Sequence, residues 1–250
     1  HSLFGKIISL FRENYIKKNL KKAPFAVYVT NKELQKRYPS NGKTLGCSDV
    51  ESFEEENVLE RKQKIIKNDI KENKFIFGTA AFLDVKFKGQ KDVIRAINYL
   101  KTKGINNIYY EMIGIGTGKK LKKLINKYHL NDRVNVAGSL NHSDVKEWMM
   151  NLDVYVHPSY SEGLCRSIIE AMKLATPVIC SNAGGNVELI SNDYIYNKKN
   201  WKKLAKLIEK ICNEKELINQ SKLNYTNSKN YDKQLLNDKR DSFYKNFILK

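Results

Sequence analysis

The sequence predicts an α/β fold with a doubly wound parallel sheet. From residue 75 onward, strand-like apolar runs alternate with helical patterns, a succession typical of repeated βαβ units. Two of these runs, residues 154–157 and 177–180, are apolar along most of their length, which indicates a sheet buried on both faces. Glycine-bearing turns follow several of the runs, where strands lead into helices. Sheets of this kind bind ligands outside the carboxyl ends of their strands.

Composition supports a globular protein with an affinity for anions. The 250 residues are 41% apolar, enough for a sizeable core. Lys and Arg outnumber Asp and Glu by 45 to 27, and a net charge of +18 attracts nucleotide diphosphates, anionic lipid or nucleic acid. The net charge does not distinguish among these three kinds of partner, and a codon usage rich in Lys and Asn explains it equally well. No pattern of a nucleic-acid-binding module is found, so no nucleic-acid partner is predicted.

Cysteine usage and hydropathy favour a cytoplasmic location. The four cysteines lack the spacing of a metal site and are expected to be reduced. No apolar run approaches the roughly 20 residues that span a bilayer, and no stretch resembles a signal peptide. Because the sequence does not begin with Met, we expect a fragment or a processed form.

The first helix is predicted over residues 3–20, which become more basic toward the end. Its apolar stripe consists of Leu3, Phe4, Ile7, Ile8, Leu10, Phe11 and Tyr15. Two interpretations stay open. The favoured one is a helix packed inside a domain, and the other is a basic amphipathic helix on an anionic membrane. The second would place the protein peripherally on the inner face of the cell membrane.

The remaining elements follow in order. Before the main sheet, the patterns predict strands at residues 25–29 and 45–47, a short helix from residue 31 to before Pro39, and a linker or surface helix over residues 51–74. In the main sheet they predict a strand that leads into a loop within residues 75–81, further strands at residues 108–113, 134–138, 154–157 and 177–180, and helices at 92–101, 119–128, 141–150 and 164–174. Three C-terminal helices are predicted at residues 200–212, 214–223 and 231–247.

Most of the candidate ligand-binding residues lie within residues 153–190. Glu162, Gly163 and Leu164 lie where a strand leads into a helix, whose free N–H groups and partial positive charge suit a phosphate. Glu170 follows Glu162 by eight residues, about two turns on, where a carboxylate can accept hydrogen bonds from ribose hydroxyls. The alternative is that both carboxylates belong to a solvated helix face.

A second glycine-bearing turn, with Gly184, Gly185 and Glu188, repeats this arrangement after the next strand. The combined stretch, HPSYSEGLCRSIIEAMKLATPVICSNAGGNVELI, resembles the donor-binding signature of the family-four retaining glycosyltransferases of the GT-B fold. The motifs that carry the likeness are the PS pair (158–159), the EG pair (162–163), EAM (170–172), the PV pair that opens a strand (177–178) and GGxxE (184–188). Seven residues separate the glutamates of the EG and EAM motifs. It implies that this chain is the Rossmann-like C-terminal half of a GT-B protein.

The resemblance also implies roles for individual residues. Glu162 would lie near the donor sugar, Glu170 would bind the ribose, and the amides of Gly163 and Leu164 would approach the sugar and the diphosphate. The other donor-side residues that the resemblance implies are Gly114 and Gly116 of a glycine-rich turn, Val134 in the segment that receives the base, and Gly184 and Gly185.

The family usually has an arginine and then a Lys-Gly pair in contact with the donor diphosphate. Lys88 and Gly89 match the pair, whereas residues 81–83 provide no arginine. Lys86, or Arg166 just after the EG turn, is expected to supply the missing charge. Glu162, Lys88 and Arg166 are therefore the predicted catalytic residues. His157 is expected to be a packing residue.

The family's domain order implies four segments in this chain. Residues 1–50 would be a remnant of the N-terminal acceptor-side domain, most of which would be absent, and residues 51–74 a linker or surface helix. Residues 75–223 would form the nucleotide-sugar-binding domain, and residues 224–250 would cross back to the N-terminal domain after a hinge at 224–230.

The predicted function is hexosyl transfer from a UDP- or GDP-sugar to a glycan or lipid-linked acceptor, in surface polysaccharide or glycolipid synthesis. The resemblance implies retention of configuration and no obligatory metal or other cofactor. Paired carboxylates also suit glycoside hydrolysis, but the phosphate-like turns argue against it. Two alternatives remain: a nucleotide-sugar-binding module that is inactive without the missing half, and a basic adaptor for nucleic acid or membrane, which rests on charge alone.

Overall fold

A computed structural model describes residues 3–51 and 56–247, except for the side chains of residues 3–7 and 9. The chain divides into two compact units, one within residues 1–51 and 231–250 and the other within residues 52–230.

The elements are, in chain order, α1 (Leu3–Lys22), β1 (Phe25–Tyr28), α2 (Glu33–Arg37), β2 (Lys43–Gly46), α3 (Val58–Lys71), β3 (Phe75–Ala80), α4 (Gln90–Thr102), β4 (Ile108–Ile113), α5 (Lys119–Lys127), β5 (Val134–Gly138), α6 (His142–Met150), β6 (Val154–His157), α7 (Arg166–Lys173), β7 (Val178–Ser181), β8 (Ile195–Tyr196), α8 (Trp201–Ile211), α9 (Glu214–Ser228) and α10 (Lys233–Phe247). Four short 3₁₀ segments, Lys86–Lys88, Gly184–Glu188, Asn192–Tyr194 and Lys229–Tyr231, lie in the connections.

The first unit contains α1, β1, α2, β2 and α10. The two strands pair in parallel, with Phe25 opposite Lys43. The ring of Phe243 on α10 meets that of Phe25 edge-on at 6.3 Å, so the C-terminal helix and the N-terminal strands share a core.

The favoured prediction for the stripe on α1 is wrong for the members whose side chains are described. Ile8, Leu10, Phe11 and Tyr15 are 51–72% exposed rather than buried. The remaining members, Leu3, Phe4 and Ile7, lie outside the described side chains. Helical spacing identifies an apolar face, but it does not show whether anything covers that face.

The second unit is built on a six-stranded sheet with the order β5-β4-β3-β6-β7-β8, in which every pair is parallel. This confirms the predicted doubly wound fold. The strands β3, β4 and β5 extend to one side and β6, β7 and β8 to the other, so the winding reverses between the neighbours β3 and β6. The carboxyl ends of β3 and β6 therefore border the crevice where open α/β sheets bind ligands.

Burial explains the apolar runs of the central strands. Each residue of β6 and β7 is buried, because helices cover both faces of a sheet of this type. The helix α9 continues to Ser228, beyond the end that the pattern predicted, and Asn224 and Ser228 are buried. The residues expected as a hinge are thus mostly helical, since packing of these polar side chains extends the helix.

Helix α3 occupies part of the segment expected as a linker or surface helix, and it packs against α9. Its Lys62 is fully buried, and the ammonium group donates hydrogen bonds to the carbonyl oxygens of Met150 and Leu152. Burial lowers the pKa of Lys62 to about 7. The nearby Asp153 is also buried, which raises its pKa to about 7.

Replacing Lys62 by alanine is expected to lower the free energy of unfolding by about 3 kcal/mol, because two buried carbonyl oxygens would lose their hydrogen-bond donor. Urea denaturation measures the change. The matched control is Lys67→Ala on the exposed side of the same helix, which should change stability by less than about 0.5 kcal/mol. Equal effects of the two substitutions would contradict a structural role for the buried lysine.

Candidate functional site

The candidate site lies at the switch point of the sheet, where the loops after β3 and β6 meet. The backbone N–H of Tyr160 donates to the carbonyl of Phe87 at 2.7 Å, and the Ser159 hydroxyl donates to the same oxygen at 3.3 Å. These bonds hold the two loops together, although they are more than seventy residues apart in sequence.

Two charged or titratable side chains converge on one oxygen atom of a third, Glu162. The Lys88 ammonium lies 2.7 Å from Oε1 of Glu162, and Nε2 of His157 lies 3.0 Å from the same atom. The side chains of Lys88 and Glu162 are 18% and 14% exposed, so this ion pair is only partly screened by water. Two predicted catalytic residues are therefore brought together.

The cluster keeps Glu162 ionised. Burial favours the protonated acid, but hydrogen bonds and charge from His157 and Lys88 outweigh burial and lower the pKa of Glu162 to about 2. Burial likewise lowers the pKa of His157, but Cys165 and Glu162 outweigh it and raise this pKa to about 9. At neutral pH the three side chains carry two positive charges and one negative charge.

His157 is a site residue that sequence reasoning missed, since it was predicted to be packing. It is buried, and its Nδ1 lies 3.5 Å from Sγ of Cys165, which in turn contacts the Ser167 hydroxyl at 3.2 Å. The Tyr155 hydroxyl donates to Ser167 at 2.7 Å and completes a buried chain. The feature of the sequence that could have identified His157 as a site residue is its position at a strand end, five residues before Glu162.

The stability contributed by this cluster is expected to depend on pH. The folded pKa of His157, about 9, exceeds the usual 6.5, so its contribution is complete below pH 6.5 and is lost as the pH rises through 9. Glu162, with its pKa lowered from 4.5 to about 2, loses its contribution only as the pH falls below 4.5.

His157→Gln should therefore destabilise the protein most near pH 6, by up to about 3 kcal/mol, and much less near pH 9. Thermal or urea unfolding of both proteins across this range measures the difference. Subtracting one protein from the other cancels the titration of distant groups. A difference that does not change with pH would contradict a charged His157.

The two glycine-bearing turns lie against each other. The N–H of Gly185 donates to the carbonyl of Gly163 at 2.6 Å. Gly184 has φ of +54°, and a Cβ at this position would lie 2.0 Å from the carbonyl oxygen of Glu162. Only glycine fits such a close approach, so Gly184 holds the Glu162–Gly163 turn in place.

The glycine-rich turn after β4 borders the loop after β3. Gly114 has φ of +141°, and a Cβ there would lie 2.1 Å from the carbonyl oxygen of Ala81. Gly116 has φ of +128° and faces the carboxylate of Asp84. Both glycines thus lie at the carboxyl edge of the sheet, and packing between the loops accounts for their identity.

Glu170 lies in the second turn of α7 and is partly buried, which raises its pKa. The charges of Arg166 and His142 oppose this rise, so both lie near the carboxylate. Arg166 itself is exposed in the first turn of α7. Glu170 is thus placed between the start of α6 and the start of α7, at the same edge as Glu162.

The structure does not bring Lys86 and Val134 into this cluster. Lys86 is exposed and lines a separate cavity beside α4 and α5. Val134 is buried and pairs with Tyr110, near the start of β5, whereas Gly138 pairs with Ile113 at the carboxyl end. The base-binding role expected of Val134 stays a prediction, and it is Gly138 of the same strand that lies at the carboxyl end, where sheets of this type bind ligands.

The described residues contain no group of three or more His, Cys, Asp or Glu side chains arranged to hold a metal ion. Within the same ranges, no helix has the length and apolar character to cross a membrane.

The sheet order and the polar cluster at its switch point define the chain as part of a GT-B-type protein. The structure matches sucrose-phosphate synthase of Thermosynechococcus elongatus with a TM-score of 0.78 at 18% identity, over 96% of this chain and 62% of that one. It matches Anabaena HepE, solved with UDP and glucose, with a TM-score of 0.75 at 18% identity, over 94% and 67%. At these identities the matches show the fold.

Sequence similarity then gives the family. Residues 60–229 match the model described as "Glycosyl transferases group 1", and the chain belongs to this family. Protein CapJ of Staphylococcus aureus is 36% identical over 250 residues, 98% of this chain and 61% of CapJ. The capsular polysaccharide biosynthesis glycosyltransferase CapM of the same organism is 27% identical over 200 residues, 77% of this chain and 50% of CapM. The chain thus spans about half to three-fifths of these relatives.

Proposed function

We propose that this chain carries the donor site of a glycosyltransferase that moves a hexose from a UDP- or GDP-sugar to a glycan or lipid-linked acceptor. Family membership supports the reaction class. The name of CapM supports a role in surface polysaccharide synthesis, and the UDP and glucose bound to HepE make a UDP-sugar the first donor to test. The four free cysteines favour a reducing, cytoplasmic setting.

The observation that carries this proposal is the convergence of Lys88, His157 and Glu162 at the switch point. Departure of a nucleoside diphosphate builds negative charge on its phosphates, and fixed cations aimed at that charge stabilise the transition state. On the loop after β3, Lys88 is the cation that reaches Glu162. The amides of Gly163 and Leu164, near the start of α7, are further donors.

The paired state of Lys88 suggests how the donor is received. A diphosphate would compete with Glu162 for the Lys88 ammonium. His157 would then keep the Glu162 carboxylate ionised and in position, so that it can accept hydrogen bonds from the sugar hydroxyls. His157 acts in this scheme as a positioning residue. Arg166, exposed at the start of α7, is a second cation for the phosphates.

Glu170 is the proposed ribose ligand, since its carboxylate lies about one turn along α7 from the phosphate-binding end. Retention of anomeric configuration is proposed from the likeness to the retaining family, and NMR of the product anomer tests it.

The main alternative function is donor binding without transfer. It is favoured by the position of all the proposed donor ligands within the second unit.

Turnover assays separate transfer from binding. UDP-glucose, UDP-N-acetylglucosamine and GDP-mannose would each be incubated with the protein and a lipid-linked or glycan acceptor, and the released nucleotide measured. Release that depends on the acceptor supports transfer. Saturable binding with no release from any donor supports the binding-only alternative.

We also propose that the reaction needs no metal ion, because cationic side chains at the site can stabilise the leaving diphosphate. Exhaustive treatment with EDTA is therefore expected to leave nucleotide release within about twofold of the untreated rate. A loss of activity that Mg²⁺ or Mn²⁺ restores would contradict this expectation.

A further inference from the structure

A cavity of about 260 Å³ in the second unit is separate from the Lys88–Glu162 cluster, and neither of those side chains lines it. Its walls come from the loop after β3, the first half of α4 and the first half of α5. The apolar part of the lining consists of Leu83, Val85, Leu121 and Leu124. An apolar lining favours a ligand with a hydrocarbon part over a fully polar one.

Cations surround this apolar lining. Lys86, Lys91, Arg95 and Lys120 all contribute to the cavity. Arg95 lies 3.6 Å from the Asp92 carboxylate. Neither Lys86 nor Lys120 has an ion-pair partner among the described residues.

The single carboxylate in the lining is already engaged. Asp84 accepts a hydrogen bond from the backbone N–H of Thr117 at 2.8 Å. Four cationic side chains against this one carboxylate leave a net positive charge beside the apolar walls.

Exposed apolar side chains extend the same surface. Phe82 and Phe87 lie on the loop after β3 and are 52% and 46% exposed, and Ile115 on the next loop is 65% exposed. The N–H of Leu83 donates to the carbonyl of Ile115 at 2.9 Å, so the two loops lie side by side. Apolar side chains among lysines are typical of surfaces that enter a membrane interface.

We propose that this cavity binds the head group of an anionic phospholipid and docks the protein on a membrane surface. The phosphate would lie against Lys86, Lys91 and Lys120, and the first carbon atoms of the lipid against Leu83 and Leu124. The volume is below the roughly 300 Å³ of pockets that enclose a whole small molecule, so it fits only this part of a lipid. The remaining chain would stay in the bilayer.

Co-sedimentation with phosphatidylcholine vesicles, with and without phosphatidylglycerol, tests this site. Lys86→Ala combined with Lys120→Ala is expected to weaken binding to the anionic vesicles by about 25-fold, fivefold for each lysine. The matched control is Lys203→Ala combined with Lys206→Ala, two exposed positions on α8 with the same change in charge. It should weaken binding by less than about threefold.

Two further arms separate the lipid from other anions. Leu124→Gln, checked for folding by its thermal transition, should also weaken vesicle binding, and a soluble short-chain phosphatidylglycerol should compete better than inorganic phosphate. Equal losses of vesicle binding in the two double-lysine variants would overturn the proposal, because they would show diffuse charge attraction. Equal competition by inorganic phosphate would also overturn it, because it would show a plain phosphate site. Equal binding to neutral vesicles would overturn it as well. None of these results depends on sugar transfer.

Discussion

Replacing Lys88 by methionine is expected to lower the rate of nucleotide release from the donor sugar by a factor of about 10² to 10³. Methionine keeps much of the side-chain volume but removes the cation that lies 2.7 Å from Glu162 and faces the proposed diphosphate site. Charge stabilisation of a leaving group acts mainly in the transition state, so the turnover number should fall more than the affinity for the donor.

Lys86→Met is the matched control for this result. Lys86 lies two residues away on the same loop, is exposed and lines the separate cavity. It should therefore leave the rate within a few-fold of the unmodified protein. A large loss in the Lys86 variant with a small loss in the Lys88 variant would reverse the assignment. It would show that Lys86 supplies the charge of the arginine that the family usually has.

Replacing Glu170 by glutamine is expected to weaken nucleotide binding by about 100-fold, because hydrogen bonds from ribose hydroxyls to a carboxylate are worth about 1.5–3 kcal/mol each. Glutamine preserves the shape of the side chain and removes its charge. Glu209→Gln, at an exposed position on α8, is the control and should bind as the unmodified protein does.

A 2′-deoxynucleotide makes this test specific to the ribose. The unmodified protein should bind 2′-deoxy-UDP more weakly than UDP, whereas the Glu170→Gln variant should discriminate much less between them. The loss of affinity caused by the missing 2′-hydroxyl and the loss caused by Glu170→Gln are not additive if both changes remove the same hydrogen bond. A variant that discriminates as strongly as the unmodified protein would show that Glu170 does not contact that hydroxyl.

Much of the fold follows from local patterns in the sequence. The apolar runs of β6 and β7 match their burial on both faces, and the alternation with helices gives the parallel, doubly wound sheet. The glycines at 114 and 184 mark places where backbone meets backbone, which only the tertiary structure can explain. The contact between the loops of Lys88 and Glu162 depends on β3 and β6 being neighbours, a fact set by strand order.

The misses have a common physical origin. His157 was expected to be a packing residue at a strand end, yet Glu162 and Cys165, both in the segment between β6 and α7, lie 3.0 and 3.5 Å from its ring nitrogens. The α1 stripe was expected to be buried, and its described members are exposed. In each case the decisive factor is a neighbour in space that sequence spacing does not specify.

The central claim is that the switch point of this sheet binds a nucleotide diphosphate, and calorimetric titration with UDP, GDP and ADP tests it most directly. We predict saturable binding of one of the three at a single site, with UDP the first expectation, and a strong loss of that binding in Glu170→Gln. Lack of binding to any of the three, or equal binding by the variant, would contradict the proposed donor site.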